Sequence, residues 1–128
     1  MEFLTGIFFV LHGFVHLLYL GHSRGLFELQ PNFKWPHRSW LFSRHLGEQT
    51  TRNLASIFSL VAGLGFFFAG VRFFLLDSWH QPEIWVSAIL SLVLYILFWD
   101  GSTQKLDHQG GVGVLINVTI LVVAYQNI

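Results

Sequence analysis

Apolar positions in this chain gather into four long stretches separated by polar or mixed connections. They run from about Phe3 to Leu20, Leu54 to Leu76, Ile84 to Trp99 and Gly111 to Tyr125. The runs are too continuous for amphipathic surface helices. Each is close to the ~17–25 residues a spanning helix needs, with the third and fourth on the short side. The pattern predicts an all-α fold: an integral membrane four-helix bundle forming one domain over residues 1–128. Short spans fit a thin or deformed bilayer, or helices extended by polar turns. Glu2 precedes the first stretch without Lys or Arg, and no small-residue cleavage site follows. That stretch is therefore expected to be a retained helix and not a signal peptide.

The connection between the first two stretches, residues 21–51, is long for a helix–helix loop. It mixes Leu26, Phe27, Leu29, Phe33, Trp35, Trp40, Leu41, Phe42 and Leu46 with basic residues. A short helix after Pro36, ending at Gly47, fits its punctuation. The segment is expected to lie on the cytoplasmic membrane surface as an amphipathic anchor, or as a lid over a pocket.

Small residues recur every fourth position at Ala55, Ser59 and Gly63 and at Gly65 and Ala69, and the fourth stretch opens Gly110-Gly111-Val112-Gly113. Such ridges let helices approach closely, here within the chain in preference to between protomers.

Composition strengthens the membrane reading. Hydrophobic residues make up 53% and charged residues 11% of the chain, against roughly 25% charged in an average soluble domain. Net charge is zero, so no overall field recruits nucleic acid. The absence of cysteine excludes disulfides, thiolate catalysis and Fe–S ligation.

Arg24, Lys34, Arg38, Arg44, Arg52 and Lys105 all fall in the first and third connections. The positive-inside rule makes that side cytoplasmic and places both termini outside. Arg72 is the exception, expected to snorkel to the outer headgroups. Trp79 and Trp85 map to the outer boundary, and Trp35, Trp40 and Trp99 to the inner one, as aromatic belts require.

Candidate chemistry centres on His12 and His16, one helical turn apart on one face of the first stretch. Ionisable groups inside hydrocarbon are costly and face a bundle interior or a cavity. Counting ~1.5 Å per residue puts His12 near the midplane. It sets His16, Ser56, Ser59, Ser91, Tyr95 and Asn117 in the inner half, with His45, Glu48, Arg52 and Asp100 at the mouth.

The expected ligand-binding set is His12, His16, Ser59, Tyr95, Asn117, Arg52 and Asp100. Arg52 and Asp100 are placed to pair across two spans or to hold a ligand's charged group. The histidines fit helix glue, contact with a lipid-like or quinone head, or metal ligation, with His16 and His45 as the one plausible haem clamp. A diiron site needs more clustered histidines than a single HxxxH.

The His12-Gly13…His16-Leu17 pattern, the Gly47…Arg52 approach to the second stretch and Gly111-Val-Gly-Val-Leu-Ile-Asn117-Val-Thr-Ile-Leu121 resemble a group of small four-helix prokaryotic membrane proteins, loosely DoxX-like, some labelled permeases. The resemblance spans nearly the whole chain. It implies a four-helix bundle with a polar HG..H face and supplies no catalytic residues. A weaker similarity is to four-helix sterol-binding and sterol-isomerase membrane proteins, which carry acidic residues inside the bundle where this chain has none.

The leading expectation is a non-enzymatic protein of a prokaryotic cytoplasmic membrane. It binds a lipid or isoprenoid molecule, or serves as an accessory subunit beside other membrane subunits or its own copies. A haem b- or quinone-binding redox protein is the alternative. A small lipid-modifying enzyme using Tyr95, His16 and Arg52 is the third.

Overall fold

A computed structural model describes residues 2–32, 38–76, 79, 82–99 and 110–127. Four α-helices occur among them: α1 (Glu2–Ser23), α2 (Phe42–Leu76), α3 (Pro82–Leu97) and α4 (Gly111–Gln126). Each predicted stretch lies inside one helix except for the last residues of the third, which the structure places beyond the end of α3. Two helices, from Phe3 to Ser23 and from Phe42 to Leu75, are long and apolar enough to cross a membrane. α3 and α4 are apolar but have 16 residues each, about 24 Å of helix.

α1 closes on a Schellman motif. Gly25 takes φ 71°, the left-handed conformation that glycine adopts without strain. Its N–H bonds the His22 carbonyl, and the Leu26 N–H bonds that of Gly21, both at 3.0 Å. The final carbonyls of α1 are thereby satisfied.

α2 starts later than Pro36 suggested. Ser39 is its N-cap, its Oγ accepting from the N–H groups of Leu41 (3.2 Å) and Phe42 (3.0 Å). Ser43 Oγ accepts from the Ser39 N–H in return, at 2.8 Å. The expected break at Gly47 is present: φ 79°, ψ 167° interrupts the helix there, and a second run continues to Leu76.

The same short segment caps α3. Ser39 Oγ donates to the Leu97 carbonyl, Trp40 Nε1 to that of Ile96 (2.8 Å), and the Trp40 N–H to that of Trp99 (3.0 Å). It is an anchor on the bundle end. The part of the expected surface segment at 33–37 lies outside the described residues.

Consecutive helices run antiparallel and pack on one another, while α1 and α4 do not pack closely. The α1/α2 seam is built on glycine. A Cβ on Gly13 would stand 2.6 Å from the Gly63 carbonyl oxygen and 2.9 Å from the Phe67 nitrogen. One on Gly70 would stand 2.7 Å from the Gly6 carbonyl oxygen. Only residues without a side chain allow backbones that close. Gly65 meets Ser87 across α2/α3, and Tyr95 lies over Gly110 and Gly113 across α3/α4. The expected small-residue ridges thus join helices within the chain.

Toward the end of the bundle holding the N-terminus of α1, a core of Phe9, Phe66, Ala69, Phe73, Ile84, Ala88, Ile120 and Ala124 fills the interior. Trp79 is part of this packing: its ring lies 5.6 Å from Phe9 and 5.5 Å from Phe73. Arg72 pairs with Glu83 in the first turn of α3, because the antiparallel α2/α3 register brings the two side by side.

Candidate functional site

Glycine at positions 13 and 63 brings α1 against α2, and this turns the His12/His16 face inward toward α3 and α4. His16 is fully buried and His12 nearly so. The two imidazoles stand edge to face, 5.3 Å apart. Phe66 of α2 packs against both, stacked on His16 at 5.7 Å and edge-on to His12 at 4.6 Å.

Ser91 is the junction of the site. His16 Nε2 lies 3.0 Å from Ser91 Oγ, and Asn117 Nδ2 donates to the same oxygen at 2.8 Å. Asn117 Nδ2 also donates to the Gly113 carbonyl, at 2.7 Å. Those two bonds settle the orientation of the amide, because reversing it would set Oδ1 against the Gly113 carbonyl. Tyr95 lies one turn along α3, its ring centroid 6.1 Å from that of His16.

Several buried atoms here have no hydrogen-bond partner among the described residues: His12 Nε2, His16 Nδ1, Ser59 Oγ and Asn117 Oδ1. The His12 and Asn117 side chains face each other, at a geometry too stretched for an ordinary hydrogen bond. A buried polar group without a partner costs roughly 1–3 kcal/mol, and native interiors hold few of them. Those on His12, His16 and Asn117 come together from α1 and α4 around Ser91.

An apolar groove of about 330 Å³ runs along α4 beside this cluster. Phe8, Trp79, Leu115, Ile116, Ile120 and Val123 line it, together with Val112 and Thr119. From Val112 to Val123 it extends about 16 Å. The Thr119 hydroxyl in its wall donates to the Leu115 carbonyl at 2.8 Å. The Phe8 ring forms part of the wall and stacks parallel on His12, with centroids 5.7 Å apart. Groove and polar cluster are thus neighbours.

Of the expected set, the structure brings together His12, His16, Tyr95 and Asn117, and buries Ser59 at the same level of the α1/α2 register. Arg52 does not join them. Its Nη2 donates to the Ser23 carbonyl at 3.0 Å, and the neighbouring Arg24 bonds Asn53 at 3.1 Å. These bonds clasp the end of α1 to α2. Asp100, the expected partner of Arg52, lies outside the described residues.

The His16–His45 clamp is not formed. His45 is exposed in the first turn of α2, more than three helical turns from the level of His16, whose Nε2 is engaged with Ser91. No group of three or more His, Cys, Asp or Glu able to hold a metal occurs among the described residues. Phe8 and Phe66, which frame the histidines, were not singled out in the sequence, since apolar residues on an apolar helix carry no distinguishing signal.

The chain matches no protein-family model, no curated protein and no solved structure.

Proposed function

We propose that this chain is an integral membrane protein whose four helices bind a lipid or isoprenoid molecule, its tail in the α4 groove and its head at the His12/His16/Asn117 cluster. One observation carries the reading: buried polar atoms on His12, His16 and Asn117 stand without partners close to an apolar groove whose Phe8 wall stacks on His12. A site with a few convergent polar groups on an apolar wall is the usual form of a small-molecule pocket.

The membrane half of the proposal rests on the outer surface. Phe3, Leu4, Leu11, Phe68, Leu75 and Leu115 are each more than half exposed, a surface that water does not tolerate over so large an area. Only 28% of the apolar window of α1 is buried inside the protein. Arg24, Arg38, Arg44 and Arg52 gather at one end of the bundle, which supports a cytoplasmic assignment for that end and termini outside. The shorter α3 and α4 are accommodated by local thinning of the bilayer.

Binding is favoured over conversion because no Asp, Glu, Lys or Arg among the described residues hydrogen-bonds into the cluster. Native mass spectrometry of the chain released from its own membrane tests the reading. A retained lipid-sized mass is expected. A bare chain under the gentlest release, with or without added lipid extract, contradicts it.

A further inference from the structure

Resting on that reading, we infer that the head of the bound molecule is an uncharged hydroxyl, and that its chain reaches the cluster along the α1/α4 seam.

The head chemistry follows from the orphaned atoms. Asn117 uses both hydrogens of Nδ2 on Ser91 and Gly113, so its free atom, Oδ1, can only accept. A ketone or ether oxygen placed there sets acceptor against acceptor. A hydroxyl donates to Oδ1 and still offers lone pairs to a neighbouring ring N–H. His12 Nε2, the other orphan facing Asn117, carries the ring N–H in one neutral tautomer, and in that tautomer it donates to the hydroxyl oxygen whose hydrogen goes to Oδ1.

Charged heads fit poorly. The cationic side chains nearest in the chain are committed elsewhere, Arg52 to the Ser23 carbonyl and Arg72 to Glu83. A phosphate or carboxylate would be buried without a counter-charge, and an ammonium head would lack a carboxylate; both are strongly disfavoured in a low-dielectric interior.

The route follows from packing. α1 and α4 are the outer helices of the sequential stack and do not pack closely on each other. The groove opens along that seam, and Phe8 links it to His12 through their stacked rings. Trp79 sits in the groove wall, so a chain lying there passes against its indole.

The test uses the full chain in lipid nanodiscs and bromine-labelled hexadecanol, its methyl ether and its phosphate monoester as quenchers of tryptophan fluorescence. They are compared at equal bilayer mole fraction, in the wild type and in Trp79→Phe. The alcohol is expected to bind at least about tenfold more tightly than either analogue, the cost of leaving one buried polar group unpaired. Most of the quenching is expected to disappear in Trp79→Phe. Asn117→Leu is expected to erase the preference for alcohol over ether.

The head-group series in the wild type needs no variant to fold. Equal affinity for alcohol, ether and phosphate overturns the hydroxyl assignment while leaving lipid binding intact. Undiminished quenching in Trp79→Phe overturns the α1/α4 route. Binding of none of the probes, together with no lipid retained on native mass spectrometry, overturns the underlying reading as well.

Discussion

Asn117 of α4 and His16 of α1 share one hydroxyl, that of Ser91 on α3, at 2.8 Å and 3.0 Å. One serine therefore ties the first helix to the last two, although α1 and α4 do not pack closely on each other. Interhelical polar bonds of this kind contribute about 0.6 kcal/mol on average and up to about 1.7 in a membrane interior. Ser91→Ala removes a partner from both His16 and Asn117. Its expected cost, about 1–3 kcal/mol, exceeds that of one such bond because His16 Nε2 is left unpaired and Asn117 Nδ2 keeps only the Gly113 carbonyl. Unfolding in mixed detergent measures it. A loss below about 0.5 kcal/mol would show that the network does not hold these helices.

Gly13 sets the depth at which the histidines sit. An added Cβ meets the backbone of Gly63 and Phe67, which cannot move aside as a flexible side chain can. Gly13→Ala is expected to cost about 1–3 kcal/mol through overpacking. It should also weaken retention of any bound lipid, because it separates α1 from α2 at the level of the site. Melting and native mass spectrometry on the same sample check both effects.

Ser39 caps one helix and closes another. Its Oγ accepts from the first turn of α2 and donates to the Leu97 carbonyl at the end of α3. Ser39→Ala is expected to cost about 1–2 kcal/mol. Hydrogen exchange should accelerate at the start of α2 and the end of α3 together, and exchange confined to α2 would contradict the shared role.

The Arg72–Glu83 pair joins α2 to α3 at the opposite end and is partly exposed, with side-chain exposures of 41% and 30%. Screening limits its expected coupling to about 1 kcal/mol or less. A double-mutant cycle with Arg72→Gln and Glu83→Gln, repeated at high salt, should show the coupling shrink.

Arg52 separates a structural role from a ligand role. Arg52→Gln is expected to loosen the end of α1, where its guanidinium bonds the Ser23 carbonyl, at a cost of about 1–3 kcal/mol. Binding of an uncharged lipid should be unchanged. A loss of binding without a loss of stability would move Arg52 into the site.

The positions of the helices were legible in the sequence because continuous apolar runs register without knowledge of neighbours. Depth counting placed His12 near the midplane and His16, Ser56, Ser59, Ser91, Tyr95 and Asn117 in the inner half. The structure gathers His16, Tyr95 and Asn117 around Ser91 with His12 beside them, whereas Ser56 bonds Ser23 at the end of α1. Rotation about the helix axis is not contained in depth. Arg52 was therefore matched to Asp100 by level alone, whereas its side chain turns toward the end of α1. The Arg72–Glu83 pair was not legible because Glu83 was assigned to a loop, when it belongs to the first turn of α3. The groove was invisible for a different reason: it arises from the wide α1/α4 seam, a relation between helices far apart in the chain.

The most direct test of the buried cluster as a ligand site is thermal stability with and without a native lipid extract. It compares the wild type with Asn117→Leu and His12→Leu. If the orphaned atoms await a ligand's head, extract raises the wild-type melting temperature by several degrees and leaves both variants unmoved. If both variants melt higher than the wild type under every condition, and extract stabilises none of the three, the cluster binds nothing and its polar atoms are only a cost to the fold.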